Sequence, residues 1–175
     1  PAYADFSVFL AVRREKRKFF ADILEKNQLG HIRFVDVGSV PYFKMLATAK
    51  YLFLDTSFAR EYVKKEGQII VNTWHGTPLK LMGRDVANRA YAMGNVQRNL
   101  QMADFLVYPN RHMKNIMFHA YCLDNIYNGT ILWSGYPRNA IFFEKERGEQ
   151  LRSELGYGDK TVFVYMPTWR GTLTQ

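Results

Sequence analysis

Cysteine occurs once in the 175 residues, at Cys122. One thiol excludes an intramolecular disulfide and a paired-cysteine zinc site, which fits a reducing compartment, and leaves Cys122 the expected role of a small apolar filler. No apolar run approaches the roughly 20 residues that a membrane-spanning helix needs, and the stretch over 6–12 is too short for a comfortable signal-peptide core. The visible chain is therefore expected to be soluble or peripheral. The phosphate loop Gly-x-x-x-x-Gly-Lys-Ser/Thr is missing, and no Gly-x-Gly-x-x-Gly turn follows a strand-like run, which argues against both nucleotide cradles. His-Glu-x-x-His and Asp-x-Asp arrangements are missing too, so no metal site and no cofactor is expected. Internal repeats, low-complexity tracts and long linkers are likewise absent.

The charge is far from balanced. Twenty-four Lys and Arg stand against 16 Asp and Glu, a formal net charge of +8, which calls for an acidic partner such as nucleic acid, anionic lipid headgroups or a phosphate-rich substrate. The densest basic segment is Arg13-Arg14-Glu15-Lys16-Arg17-Lys18-Phe19-Phe20. Clustered cations beside aromatics suit an anionic surface, and the same run reads equally as the solvated face of a surface helix. Elsewhere the basic residues are dispersed and no nucleic-acid recognition motif appears, so nucleic acid is not the expected partner.

Short β-rich runs alternate with amphipathic stretches. The pattern predicts strands over 6–12, 33–37, 51–54, 68–73, 105–108, 130–133 and 161–166, with helices over 16–26, 42–49, 58–65, 86–102, 111–120 and 144–155. Gly30, Gly67 and Gly156 stand where helix C-caps belong, and Asn110 where an N-cap belongs. This alternation implies βαβ units and a doubly wound, mostly parallel α/β sheet. A boundary is expected near Gly156-Tyr157-Gly158-Asp159, giving a domain over 1–158 and the opening strand of a second over 159–175. The chain opens on Pro1 and stops soon after a strand-like run, as a piece cut from a longer protein would.

Chemistry concentrates where strands end. Gln68-Ile69-Ile70-Val71-Asn72-Thr73 runs straight into Trp74-His75-Gly76-Thr77-Pro78-Leu79-Lys80, and ligands of open parallel sheets bind outside the carboxyl ends of the strands. There His75 supplies an imidazole, Gly76 allows close backbone approach, and Thr77 and Lys80 offer a donor and a cation to an anion. The bland alternative is a tight turn with a surface histidine. Asp55-Thr56-Ser57 reads first as a helix cap and second as a substrate contact. Tyr108-Pro109-Asn110-Arg111-His112 brings a cation and an imidazole to the same rim, although His112 also reads as a solvated helix residue. Gly135-Tyr136-Pro137-Arg138-Asn139 makes a sharp turn that places Arg138 at a helix N-terminus, a natural anion cradle. Met166-Pro167-Thr168-Trp169-Arg170-Gly171 repeats the strand-then-polar design, with Arg170 either gripping phosphate or stacking on Trp169.

The ordered set Trp74-His75-Gly76-Thr77-Pro78-Leu79-Lys80, Ser134-Gly135-Tyr136-Pro137-Arg138-Asn139 and Tyr165-Met166-Pro167-Thr168-Trp169-Arg170 resembles the CDP-glycerol glycerophosphotransferases that build teichoic acid in Gram-positive bacteria. Ala47-Thr48-Ala49-Lys50-Tyr51 and Ala103-Asp104-Phe105-Leu106-Val107-Tyr108-Pro109-Asn110 extend the likeness over roughly Gly30 to Gly171. The chain departs at Ala140 and Gly171, where members commonly carry acidic residues. The resemblance implies a GT-B architecture of two Rossmann-like domains, of which this chain would be the acceptor-side half. It further implies transfer of glycerol phosphate from CDP-glycerol to a lipid-linked teichoic-acid acceptor, with release of CMP. His75 would then be the general base, while Gly76, Thr77, Lys80, Arg138 and Arg170 would bind phosphate. The enzyme would sit peripherally on the cytoplasmic face of an anionic membrane, and this chain alone would be inactive because the donor site lies mainly in the other half. Two further classes stay open: a GT-B glycosyltransferase using a nucleotide sugar, told apart by UDP rather than CMP release, and a non-catalytic basic module that binds anions or membranes.

Overall fold

The computed structural model describes residues 5–88 and 90–167, which fall into two compact units divided between Ser134 and Gly135. The first holds β1 (Phe9–Val12), α1 (Arg17–Lys26), β2 (Arg33–Asp36), α2 (Val40–Thr48), β3 (Tyr51–Leu54), β4 (Ile69–Asn72), α3 (Gly94–Met102), β5 (Phe105–Tyr108), α4 (Arg111–Ala120) and β6 (Thr130–Trp133). The second holds a 3-10 stretch, Pro137–Phe143, and α5 (Lys145–Glu154).

Every strand pairing among the described residues is parallel. Strands β1 and β2 form one sheet, and β3-β4-β5-β6 form another in sequence order. The α/β, Rossmann-like class expected from the alternation is therefore the observed one. Strands added in one direction by right-handed crossovers receive their connections on one face. On that face Leu52, Ile70, Asn72, Leu106 and Tyr108 are buried, and so are Leu100 of α3 and Met113 and Met117 of α4. Period-two alternation sends Phe53 and Leu132 to the opposite face, where they are 73% and 40% exposed.

One residue, through its carboxylate and its backbone, ties three strands. Asp104, just before β5, accepts from the Ile70 N–H at 2.7 Å and from Lys64 Nζ at 2.6 Å. Its own backbone N–H donates to the Ile70 carbonyl at 3.0 Å, and its carbonyl accepts from the Thr130 N–H at 2.8 Å. Burial pushes the Asp104 carboxyl up. The hydrogen bond from Lys64, the Ile70 N–H and the Lys64 charge outweigh that and hold it below the ordinary carboxylate value.

Three helices end in the same hydrogen-bonded reversal, and only α5 does so with a glycine. Gly156 donates to the Ser153 carbonyl and Tyr157 to that of Arg152, with Gly156 left-handed at φ +67, as its position in the sequence suggested. After α1 the left-handed residue is Gln28 (φ +56) rather than Gly30, and after α4 it is Cys122 (φ +52). Cys122 thus terminates a helix and is only half-buried, instead of filling the core. At the N-termini, Asn110 caps α4 as expected by accepting from the Met113 N–H at 2.9 Å, and Ser39 caps α2 through the Tyr42 N–H.

Two expected elements do not form. The helix over 58–65 is replaced by an irregular segment, although Phe58 and Tyr62 are buried with the spacing of a helix face. Side chains capture its backbone instead. Asn99 accepts from the Phe58 N–H, Gln68 accepts from the Lys65 N–H, and Arg98 donates to the carbonyls of Ala59 and Tyr62, which leaves few groups for a helical ladder. Residues 161–167 carry no regular structure; a strand exists only by pairing, and no described strand pairs with this run. Gly67 accordingly closes a turn before β4, with no helix before it, and α3 begins at Gly94 rather than at residue 86.

Replacing Asp104 with Asn should destabilise the protein by about 1–2 kcal/mol at neutral pH, toward the low end because the pair is partly exposed. A carboxyl lowered in the folded state contributes fully above its ordinary value of 3.8 and loses that contribution as pH falls toward the folded value. Denaturant titrations across the acid range should therefore show the gap between wild type and Asp104→Asn closing below about pH 4. A gap that stays constant there would mean that the Lys64 pair contributes nothing to stability.

Candidate active site

Strand β4 carries the chemistry because its last residue turns the chain. Alternation places Asn72 on the buried face with Ile70, and it is 1% exposed. Its side chain is engaged at both ends: Oδ1 accepts from the Trp74 N–H at 2.8 Å, and Nδ2 donates to the Thr56 carbonyl at 2.9 Å. Trp74 adopts a left-handed backbone, φ +50, uncommon for a bulky residue and a mark of functional sites. Its indole is 5% exposed, meets the Tyr121 ring edge-on at 6.1 Å and stacks on the His75 imidazole at 4.4 Å and 25°.

His75 itself is exposed. Nδ1 lies 2.8 Å from the carbonyl oxygen of Asp55, beyond the end of β3. A carbonyl can only accept, so Nδ1 carries the proton in this bond and a neutral ring keeps its lone pair on Nε2. The expected capping role of Asp55-Thr56-Ser57 gives way to this one, since no helix follows and the backbone carbonyls of Asp55 and Thr56 receive His75 and Asn72.

Gly76 follows at φ +149, a conformation closed to side-chain-bearing residues, with no atom within 4 Å of the place a Cβ would occupy. Thr77 is half-buried, and Lys80 is exposed. The loop is pinned further on, where Gly83 (φ +54) sits against the Ala120 carbonyl at the end of α4 so closely that a Cβ would overlap it. Beside it Asp85 Oδ1 lies 3.0 Å from His119 Nε2, and Arg84 reaches the same imidazole and the Cys122 sulfur.

The structure thus brings His75, Gly76, Thr77 and Lys80 onto one loop at the carboxyl edge of the parallel sheet. Arg138 belongs to the second unit, exposed at the start of the 3-10 stretch, with its guanidinium 5.1 Å from the Tyr136 ring centre. Arg170, with Thr168, Trp169 and Gly171, lies outside the described residues. His112 is exposed on α4. Asn72 and the Arg84, Asp85 and His119 cluster went unnoticed in the sequence. For Asn72 a signal existed: a polar residue at inward parity closing the run Ile69-Ile70-Val71. Among the described residues no three His, Cys, Asp or Glu side chains are grouped to hold a metal ion.

A parallel α/β domain with an imidazole held at the carboxyl end of an inner strand is a Rossmann-like fold with a candidate site where such sheets bind their ligands. The family model described as CDP-glycerol:poly(glycerophosphate) glycerophosphotransferase matches residues 3–175, and the chain belongs to that family. It is 29% identical to the teichoic acid poly(glycerol phosphate) polymerase of Bacillus spizizenii over 85% of this chain and 39% of that protein. It is 30% identical to the teichoic acid glycerol-phosphate transferase of Staphylococcus aureus over 82% of this chain and 39% of that protein. Among solved structures, the wall teichoic acid polymerase TagF, a GT-B enzyme, superposes with a TM-score of 0.68 at 25% identity, over 93% of this chain and 47% of that one. A TagF variant soaked with CDPG gives 0.65 at 29%, over 79% and 36%. The chain therefore spans less than half the length of each of these relatives.

Gly76→Ala should lower stability by about 1–3 kcal/mol through backbone strain alone, because the space for the methyl is open. An unchanged denaturation midpoint would mean that the loop relaxes to another conformation without penalty.

Proposed function

We propose that the protein transfers glycerol phosphate from CDP-glycerol to the terminal hydroxyl of a teichoic-acid acceptor. The acceptor oxygen forms a bond to the β-phosphorus, the bond from that phosphorus to the bridging oxygen breaks, and CMP leaves with its electron pair. The hydroxyl proton passes to His75 Nε2. One observation carries the reading: the Asp55 carbonyl fixes the proton on Nδ1, which presents Nε2 as the acceptor a general base requires, within the stretch that the family model matches. Phosphoryl transfer otherwise depends on placement and charge. Those tasks fall to the backbone of Gly76 and Thr77, to Lys80, and to the two guanidiniums of Arg138 and Arg170.

The division of labour belongs to the same proposal. Residues 1–158 serve the acceptor, and the run from 159 begins a donor-binding domain, so this chain by itself releases no measurable CMP and binds CDP-glycerol weakly. The assembled enzyme works peripherally at the cytoplasmic face of an anionic membrane, without nucleic acid.

His75→Ala in the full-length enzyme should reduce CMP release by about two orders of magnitude or more while leaving thermal unfolding nearly unchanged, since the residue is exposed. Near-normal turnover in that variant would remove His75 from the role of base.

The membrane part has its own test. Arg13, Arg14, Lys16 and Lys18 are exposed, whereas Arg17 is engaged by Asp36 at 3.1 Å. Changing those four to Gln should weaken co-sedimentation with anionic vesicles, each cation contributing on the order of 1 kcal/mol near the surface. Binding of the unaltered protein should fall as salt shortens the Debye length from about 10 Å at 0.1 M to about 3 Å at 1 M. Equal binding to neutral vesicles, or a variant that binds as before, would leave this segment as a solvated helix face.

A further inference from the structure

We propose that Asn72 is a positioning residue that sets both the tautomer and the aim of His75. The hydrogen bond between His75 and the Asp55 carbonyl joins the two segments that leave β3 and β4 just past their last ladder bond, from the Thr73 N–H to the Leu54 carbonyl. Asn72 holds both. Through Nδ2 it fixes the Thr56 carbonyl, one residue beyond the Asp55 carbonyl that His75 addresses. Through Oδ1 it fixes the Trp74 N–H, one residue before His75, and so locks the left-handed turn at φ +50. The two bonds are opposite in sense, one accepting and one donating, and an amide is the side chain of this size that supplies both at a fixed separation. Asn72 itself is 1% exposed, and its bond from the Trp74 N–H is buried.

The stack of Trp74 on His75 completes the device. The left-handed turn puts the indole in the core against Tyr121 and leaves the imidazole lying on its outer face. The ring plane is set by the indole and its in-plane rotation by the Asp55 carbonyl. A free imidazole prefers its proton on Nε2, and the bond to Asp55 reverses that preference. Loss of Asn72 releases the Thr56 carbonyl and the Trp74 N–H that flank the bond, and the ring returns to the tautomer whose Nε2 accepts no proton. That the reversal affects turnover rests on the glycerophosphotransferase reading; that it occurs at all does not.

The test uses the full-length chain with isotope-labelled histidine, the two ring-nitrogen chemical shifts of His75 being read at a pH where the ring is neutral and assigned by their loss in His75→Ala. In the unaltered protein Nδ1 should show the protonated shift and Nε2 the unprotonated one. In Asn72→Ala the shifts should exchange or average, and kcat should fall about a hundredfold, the scale of a misplaced catalytic group, with KM for CDP-glycerol little changed. Asn72→Asp is isosteric, keeps the acceptor for the Trp74 N–H and loses the donor to Thr56. It should give an intermediate loss of about tenfold, and it carries the test if the alanine variant fails to fold. If both variants merely melt at lower temperature while the shifts and kcat per folded molecule stay those of the unaltered protein, Asn72 is structural only and the proposal is overturned. If the tautomer exchanges as expected but turnover does not fall, the positioning holds and the assignment of His75 as base is what fails.

Discussion

An inner parallel strand ends abruptly, with its last backbone groups facing no ladder and the chain obliged to leave the sheet at its carboxyl edge. At the end of β4 this constraint is met by one buried amide. Asn72 takes the Trp74 N–H and gives a proton to the Thr56 carbonyl, so the ends of β3 and β4 are held together beyond the last sheet hydrogen bond. A buried polar group left unpaired there would cost on the order of 1–3 kcal/mol, which is why the residue at this inward position is satisfied on both sides. The left-handed Trp74 and the stacked imidazole belong to that turn, and Gly76 follows it at φ +149.

The opposite edge of the sheet is organised by a charge. Asp104 gathers the Ile70 N–H and Lys64 and passes its own backbone to β4 and β6, holding the start of β5 against both neighbours. Strands β3 and β4 run level from Tyr51 opposite Ile69 to Leu54 opposite Asn72, so the residues leaving them arrive at one edge. Placement of His75 near the Asp55 carbonyl is thus a consequence of register as much as of the local motif. The same economy appears in α3. Asn95, Arg98 and Asn99 turn toward the irregular segment after β3 and satisfy its backbone, so a connection without secondary structure can be packed over the core.

Much of this was legible in the sequence, and the reasons differ by element. Strands β3, β5 and β6 and helix α4 fall where β-branched and aromatic runs or a 3.6-residue period placed them, because those patterns report burial directly. The segment over 58–65 misled, since Phe58 and Tyr62 have helical spacing and are both buried; what decided against a helix was competition for its backbone by Asn99, Gln68 and Arg98, residues far away in sequence. Helix ends misled in the same way. Gln28 and Cys122 adopt the left-handed conformation without being glycine, because the reversed hydrogen bonds and packing of the following residues outweigh a modest backbone penalty. At the site, His75 was marked by its place after a strand and by its motif, whereas Asn72 was hidden inside an apolar run and only its parity pointed inward.

The sequence by itself determined the alternation of strands and helices, the parallel α/β class, the excess of positive charge, and the motif order that assigns the chain to its family. These depend on local spacing and on residues adjacent in the chain. Only the tertiary structure decided which nitrogen of His75 holds the proton, that the Asp55 carbonyl rather than a carboxylate orients it, and that Gly83 and the Asp85–His119 pair tie the following loop to α4. Those are contacts between segments 20 to 37 residues apart, fixed by strand register and by which polar groups could find partners, and no local pattern encodes them.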